Sequence, residues 1–268
     1  MKKIILLTLF SVFVYAKNLV VLDSASIEII YMLNAQNHIK GIAKLQQSSI
    51  HPKEETEKLP SVGSFSNPSL EKIISLKPDL VILSQYSIGL KEKLENLGIE
   101  TLYLESKRLD DIYSNITTLG KILDKNKEAE ELKKDFKAKL DELSKEPIKR
   151  SAIFLFSSSP LMAFSNNSLI ADILKIIGVK NLSPDSDIKR PIITSEYILK
   201  ANPEILLLGI EANNIENLLS YNPILKNITA TKNNNILIYK NTLPLMRLSP
   251  NIIDSIKDLK SFIKSNVK

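Results

Sequence analysis

Apolar and polar residues follow one another along this chain in blocks that recur in its two halves. Residues 70–83 align without a gap on residues 195–208, at a constant spacing of 125 positions. Each segment predicts a short amphipathic helix with a glutamate in its first turn, a proline followed by an acidic residue, and a continuous apolar run. Such runs of branched residues are typical of strands buried on both faces of a parallel sheet. The repeat therefore predicts two α/β lobes of similar build.

The rest of the pattern completes these lobes. The apolar run Leu19–Leu22 predicts the first strand, and Ser24 or Ser26 can cap the helix that follows it. The polar stretch 46–66 contains two prolines and predicts a loop. In the second half, residues 151–156 predict the first strand of the second lobe.

A long helical period separates the two halves. Residues 109–145 contain one glycine and no proline, and the helix would be about 50 Å long if unbroken. A break near residues 124–126 fits the pattern too, and the second half alone is long enough to bridge two lobes. We therefore predict an α/β fold of two Rossmann-like lobes joined by one long rigid helix, with a ligand cleft between the lobes. The predicted boundaries are 17–121 for the first lobe, 122–146 for the interlobe helix and 147–268 for the second lobe.

The beginning of the chain has the pattern of an export signal. Lys2 and Lys3 precede the apolar stretch 4–13, and Val14–Ala16 forms a small-x-small cleavage site. The apolar stretch has roughly half of the ~20 residues that span a bilayer. We expect cleavage after Ala16 and a mature protein that is soluble in the periplasm. The absence of cysteine excludes disulfides, thiolate metal sites and a lipid-modified cysteine.

Charge and composition argue against nucleic-acid binding and against several classes of enzyme. The net charge is +6, but basic and acidic residues are interleaved, so no basic stripe with aromatics predicts nucleic-acid binding. With seven glycines the chain has no nucleophile elbow, Walker loop or dinucleotide fingerprint, and neither histidine follows a buried strand. We predict a monomeric binding protein and no enzyme; a secreted α/β hydrolase is the alternative from another class.

Several motifs carry a resemblance to a known family. They are Val62-Gly63, residues 68–73, Lys77–Val81, Gly98-Ile99, the long interlobe helix, Arg190-Pro191 and Arg247–Pro250. Across residues 18–262 the chain resembles the periplasmic substrate-binding proteins that serve ABC importers of vitamin B12, ferric siderophores and haem. The resemblance implies two lobes that bind a ligand in the cleft between them.

The resemblance also implies a partner. In that family a carboxylate on each lobe docks onto arginines of the membrane permease, and the corresponding residues here are Glu71 and Glu196. The internal repeat selects the same pair independently. A two-fold permease dimer requires equivalent contacts from both lobes, and glutamates can form bidentate bonds with arginines. The alternative is that both glutamates only stabilise helix N-termini through the dipole.

Candidate ligand contacts follow the buried strands, because ligands of α/β sheets bind at the carboxyl ends of strands. This rule selects Ser24 and the segments 64–67, 84–87, 157–159 and 242–247. Tyr86 directly follows a strand, and a phenolate is a hard ligand suited to Fe(III), which makes it the candidate metal contact. The other candidates in these segments are Ser64, Phe65, which can stack on a planar ligand, and Met246, which can bind soft iron or fill a gap.

Two arginines complete the predicted site. Arg190 precedes a proline, and Arg247 lies in a loop between two prolines, where the family often has a cleft arginine. Guanidinium groups suit the carboxylates of haem or catecholate chelates, and the alternative is a surface salt bridge. His51 is a further possible metal ligand, in a polar loop.

The predicted ligand is a transported metal chelate, with no resident cofactor and no certain metal site. Haem-binding relatives commonly carry a tyrosine where this chain has Ser64, and vitamin B12 binders favour tryptophans, of which this chain has none. The preference for iron rests mostly on the family resemblance, and the order of preference is an iron complex, a nickel chelate, haem and a corrinoid.

Overall fold

The computed structural model describes residues 17–268, so the predicted signal peptide of residues 1–16 lies outside the described residues. The strands of the first lobe are β1 (Leu19–Val21), β2 (Ile39–Lys44), β3 (Ser61–Ser64), β4 (Asn67–Pro68), β5 (Leu80–Leu83) and β6 (Glu100–Tyr103). They form one sheet in the order β4-β3-β2-β1-β5-β6, parallel except for the β3–β4 pair. The helices of this lobe are α1 (Ser24–Met32), α2 (Lys53–Thr56), α3 (Leu70–Ser75), α4 (Lys91–Asn96) and α5 (Asp111–Ile122).

Helix α6 (Asn126–Ser144) leads into the second lobe. The strands of that lobe are β7 (Arg150–Ser158), β8 (Leu161–Ala163), β9 (Val179–Asn181), β10 (Ile205–Glu211) and β11 (Ile236–Ile238). The sheet runs β11-β10-β7-β8, with β9 also parallel to β7 and only the β7–β8 pair antiparallel. Its helices are α7 (Leu169–Ile176), α8 (Ser195–Ala201), α9 (Ile215–Tyr221), α10 (Thr229–Lys232) and α11 (Ile252–Asn266). This confirms the predicted two-lobed α/β class.

One hydrophobic cluster contains side chains of both lobes. Alternate residues of the buried strands point to opposite sheet faces, so Leu19 and Val21 join this cluster while Val20 packs on the other face. The same cluster includes Phe154 of β7 and Phe136 of α6. The two sheets and the helix between them therefore share one continuous packed core.

The sequence repeat is also a structural repeat. Ser69 caps α3 by accepting a hydrogen bond from the backbone N–H three residues on, and Thr194 caps α8 in the same way. Lys77 and Asn202 both end these helices in the left-handed conformation, at φ 46°. The acidic residue after each proline then accepts a bond from the backbone N–H at the start of its lobe's first strand, from Asn18 to Asp79 (2.7 Å) and from Ser151 to Glu204 (2.8 Å). Glu71 and Glu196 consequently occupy equivalent places.

The helical segment between the lobes is interrupted near residues 124–126, where the sequence pattern fits a break. Asp124 has a positive φ of 54°, and α5 folds back against α6, with the rings of Tyr113 and Phe136 5.3 Å apart. A Cβ at Gly120 would come within 2.5 Å of the Ala129 Cβ, so this glycine permits the close approach. The 19 residues of α6 span about 28 Å. A 50 Å helix is therefore not formed, and of these two helices α6 is the one that leads into the second lobe.

Two local expectations are corrected. Asp23, rather than Ser24 or Ser26, caps α1, and its carboxylate accepts from the Ser26 backbone N–H at 2.8 Å. The predicted loop 46–66 contains α2 and β3, because β2 and β4 supply hydrogen-bond partners on both sides of a polar strand. No helix among residues 17–268 has the length and apolar character needed to cross a membrane.

We expect little movement between the lobes when a ligand binds, because α6 and the shared core hold them together. A further interlobe contact joins Arg108 to Asp172 of α7, with Nε and Nη2 of the arginine donating to both carboxylate oxygens. Small-angle scattering curves recorded with and without ligand should nearly superimpose. A large compaction on binding would contradict this expectation.

Candidate functional site

A cavity of about 460 Å³ lies between the lobes at the carboxyl ends of the first-lobe strands. Its lining residues are Ser24, Lys44, Leu45, Gln46, Gln47, Ser48, Ser64, Phe65, Ser66, Gln85, Tyr86, Leu243, Met246 and Arg247. Five of the six predicted ligand contacts are therefore brought together across 183 positions of sequence, from Ser64 to Arg247. Whether they touch a ligand stays a prediction, since position alone does not test it.

An aromatic pair forms one wall of this cavity. The rings of Phe65 and Tyr86 meet edge to face, with centroids 5.2 Å apart. Tyr86 is 57% exposed, so its phenol is open to a ligand that enters the cleft. Ser64 lies at the end of β3, beside the pair, and its hydroxyl accepts a hydrogen bond from the Asn67 backbone N–H at 3.1 Å.

Arg190, the sixth predicted contact, lines a small adjoining cavity of about 90 Å³ that shares Gln85 and Met246 with the larger one. Its guanidinium lies over the ring of Phe156, 4.3 Å from the centroid, which orients the side chain by a cation–π contact. Met246 lies where the two cavities meet. The predicted residues thus surround one composite cleft.

Positive charge accumulates where these cavities adjoin. Lys107 of the first lobe and Lys189 of the second line the same small cavity as Arg190. Burial lowers the pKa of the Lys189 ammonium, and the positive charges of Lys107 and Arg190 lower it further. Lys107 pairs with Glu105 at 3.1 Å, whereas neither Lys189 nor Arg190 forms a salt bridge with any described residue. We name these three residues the cationic cluster.

Acidic residues are scarce in the cleft. Among the described residues that line the two cavities there is no aspartate and no glutamate. A third crevice of about 70 Å³ reaches Asp23, whose pKa is raised by burial. Lys44 points its ammonium away, to the carbonyl oxygens of Thr56 and Glu57 at 2.9 Å and 2.8 Å. All described charged side chains that line the two cavities are therefore basic: Lys44, Arg247 and the cationic cluster.

Arg247 has a structural role that the sequence did not reveal. Its Nη1 donates to Oε1 of Glu28, at 2.6 Å, and to the carbonyl oxygen of Ser49 at 2.7 Å, and its Nη2 donates to the Ser48 hydroxyl at 2.9 Å. The Arg247 side chain is 12% exposed and that of Glu28 is fully buried. The surface salt bridge considered as an alternative is thus a buried ion pair between the lobes.

Glu28 collects four donors. Besides Arg247, its carboxylate accepts from the backbone N–H of His51 at 3.0 Å, from the Ser249 hydroxyl and from the Asn251 side-chain amide at 3.1 Å. Three of these donors belong to the second lobe and one to the first. The only local indication in the sequence is an acidic residue set among the isoleucines of α1.

A larger cavity of about 650 Å³ lies on the other side of the Glu28–Arg247 pair and is lined by His51, Glu55 and Asp254 among others. His51 does not line the 460 Å³ cleft, and the described residues contain no group of three or more His, Asp or Glu that could hold a metal ion. The ring of His38 contacts the carbonyl oxygen of Lys17 at 3.0 Å, which agrees with a structural part for that residue.

Glu71 and Glu196 lie outside the cleft. Each is exposed in the first turn of its helix, α3 or α8, and neither lines the cleft cavities. A hydrogen bond from its own backbone N–H lowers the pKa of Glu196, and the hydroxyls of Thr194 and Ser195 lower it further. This carboxylate is therefore ionised and available on the surface.

Two α/β lobes with an open cleft between them have the architecture of a two-lobed ligand-binding protein. Residues 19–243 match the family described as periplasmic binding protein, and the chain belongs to this family. The resemblance found in the sequence is confirmed.

Individual relatives agree with this assignment. The chain is 30% identical to the vitamin B12-binding protein of Pectobacterium atrosepticum over 173 residues, which cover 61% of this chain and 62% of that protein. It is 26% identical to the ferric-anguibactin-binding protein of Vibrio anguillarum over 201 residues, 68% of this chain and 62% of that protein. The chain thus spans about three fifths of the length of the first curated relatives that it matches.

A solved structure shows the fold. A possible iron-binding, periplasmic solute-binding protein from Staphylococcus epidermidis superimposes with a TM-score of 0.81, at 22% identity, over 92% of this chain and 98% of the other. At this identity the likeness extends to the fold alone.

Proposed function

We propose that this protein captures an anionic metal chelate, preferably an iron complex, in the interlobe cleft and delivers it to the membrane permease of an ABC importer. The observation that carries the proposal is the cationic cluster, in which Lys189 and Arg190 face the cleft without a salt bridge to any described residue. A bound anion would relieve the mutual repulsion of these charges. Both lobes contribute to the cluster, so one anionic ligand would contact both.

The charge of the cleft favours some ligand classes over others. Cyanocobalamin carries no net charge and gains nothing from the cluster, whereas ferric tricatecholates and haem are anionic. The phenol of Tyr86 and the ring of Phe65 line the adjoining 460 Å³ cavity, and they offer a hard oxygen donor and a stacking surface. We assign the metal end of the chelate to this aromatic pair, with Ser64 and Met246 as flanking contacts. A nickel chelate or haem in the same cleft is the second choice.

We also propose that Arg247 contacts the ligand, in addition to its ion pair with Glu28. Three of its five N–H groups are used by Glu28, Ser49 and Ser48, and the others make no hydrogen bond to a described residue. A ligand group at the base of the 460 Å³ cavity would accept from them. The hydrolase alternative has less support, because neither histidine lines that cavity.

The proposal is tested with ligands of known charge. We expect a ferric tricatecholate to raise the melting temperature of the protein, by the equivalent of about 3 kcal/mol at a hundredfold excess over Kd. An uncharged ferric trihydroxamate, nickel–histidine, haem and cyanocobalamin complete the panel. Binding of cyanocobalamin in preference to every anionic complex would contradict the proposal, as would turnover of a chromogenic ester without binding.

Lys189→Ala combined with Arg190→Ala should weaken binding of the anionic complex at least about tenfold, because hydrogen bonds to charged groups contribute about 1.5–3 kcal/mol each. Isothermal titration calorimetry at two salt concentrations measures the loss. The matched control is Lys175→Ala with Lys180→Ala, which removes the same charge from exposed positions of the second lobe that line neither cavity. Equal losses in both double variants would show a long-range charge effect and no anion site.

A further inference from the structure

We propose that the second lobe holds the permease through an apolar contact beside Glu196, formed by Ile192 and Tyr221; this inference rests on the proposed function. We name Ile192, Glu196 and Tyr221 the second-lobe docking surface. The partner is the periplasmic face of the permease, which would present a cation to Glu196 and an apolar side chain to the other two residues.

The surface is built around a shallow hollow. Its volume is about 340 Å³, and it is lined by Ser158, Ser159, Pro160, Leu161, Ile192, Ile193, Thr194, Ser195, Glu196, Tyr221 and Asn222. Ile192 is 70% exposed and Tyr221 is 74% exposed, which places them among the most exposed large apolar side chains of the described chain. Single exposed apolar residues are ordinary, but two that flank one hollow and one ionised carboxylate form a patch.

The chemistry of the patch fits protein contact better than small-molecule capture. Tyrosine is enriched in interface hot spots, and neighbouring side chains that exclude water surround such hot spots. Tyrosine presents a large area at a low entropic cost. The pKa of Glu196 is lowered by local hydrogen bonds, which favour its charged form at this surface. Apolar neighbours that exclude water strengthen the bond between this carboxylate and a cation.

The two lobes differ at this place. At the repeat spacing of 125 positions, the first lobe has Glu71 opposite Glu196, but Asn67 opposite Ile192 and Asn96 opposite Tyr221. Tyr221 and Asn96 are the last residues of α9 and α4. The charge is thus repeated in both lobes, whereas these two apolar contacts belong to the second lobe. The two halves of the permease would therefore be engaged unequally.

The test measures binding of the protein to its purified permease in lipid nanodiscs by surface plasmon resonance. Ile192→Ser with Tyr221→Ser should raise the Kd at least about tenfold, as expected for two central interface residues. The matched control is Leu97→Ser with Ile188→Ser, two side chains that are 57% and 67% exposed and do not line the hollow. The control should bind as the parent does, and all variants should melt at the parent temperature.

The outcomes separate this inference from the proposed function. A parent protein that does not bind the permease at all would overturn both. Binding that is lost in Glu71→Ala with Glu196→Ala but unchanged in Ile192→Ser with Tyr221→Ser would overturn the apolar contact alone. The inference also fails if the control loses as much affinity as the test variant. Sedimentation gives the last outcome: a parent dimer that these two serines convert to a monomer would assign the surface to a second copy of the chain.

Discussion

Arg247→Ala should lower the free energy of unfolding by about 3–5 kcal/mol, the usual cost of removing one partner of a buried ion pair. The Glu28 carboxylate is fully buried and would lose the only positive charge that contacts it among the described residues. The hydroxyl, amide and backbone donors from Ser249, Asn251 and His51 would remain, but they carry no charge. Urea unfolding of the parent and the variant measures the difference.

Two further variants test whether the loss of stability in Arg247→Ala comes from the unpaired charge of Glu28. Arg150→Ala removes an exposed arginine that is paired with Glu204 at 3.3 Å, and it should cost no more than about 1 kcal/mol. Adding Glu28→Gln to Arg247→Ala should recover much of the lost stability, because the amide keeps an acceptor oxygen without a charge. If Arg247→Ala is as stable as the parent and only binds ligand more weakly, the guanidinium serves the ligand and not the lobe contact.

Glu71→Ala combined with Glu196→Ala should abolish delivery of the ligand while its affinity in solution stays unchanged. Each glutamate would form charge-assisted bonds to the permease, and neither lines the cleft. Either single change should have a smaller effect, since one equivalent contact remains. Uptake of labelled ligand by cells, measured beside calorimetry on the purified variants, separates delivery from binding.

The control addresses the helix-dipole alternative directly. Glu92 and Glu216 are exposed acidic residues in the first turns of α4 and α9, and they should contribute the same dipole stabilisation. Glu92→Ala with Glu216→Ala should therefore leave uptake at the parent rate. Loss of ligand affinity in the variant with both Glu71→Ala and Glu196→Ala would instead show that these residues contribute to ligand binding in the cleft.

The features that the sequence predicted well are local ones. Strands β5 and β10 contain runs of consecutive apolar residues, and such a run predicts burial on both faces of the sheet. The repeated segments form the predicted helix and strand in both halves, α3 with β5 and α8 with β10. Each of these is decided by a short window of chain.

The features that the sequence could not supply depend on partners that are distant in the chain. Glu28 and Arg247 are 219 positions apart, and no local pattern relates them. The cationic cluster likewise joins Lys107 to Lys189 across the lobe boundary, so only Arg190 was selected in advance. Strand β3 is polar, and its hydrogen bonds to β2 and β4 decide its conformation more than its own residues do.

The core shared by the two sheets has a consequence for the chain as a folding polymer. Side chains from β1, β7 and α6 belong to one cluster, so a half-molecule cut near Asp124 would leave an apolar face bare on each fragment. We therefore expect that neither lobe folds stably by itself, although each has its own sheet and helices. Destabilisation of one lobe should likewise lower the stability of the other.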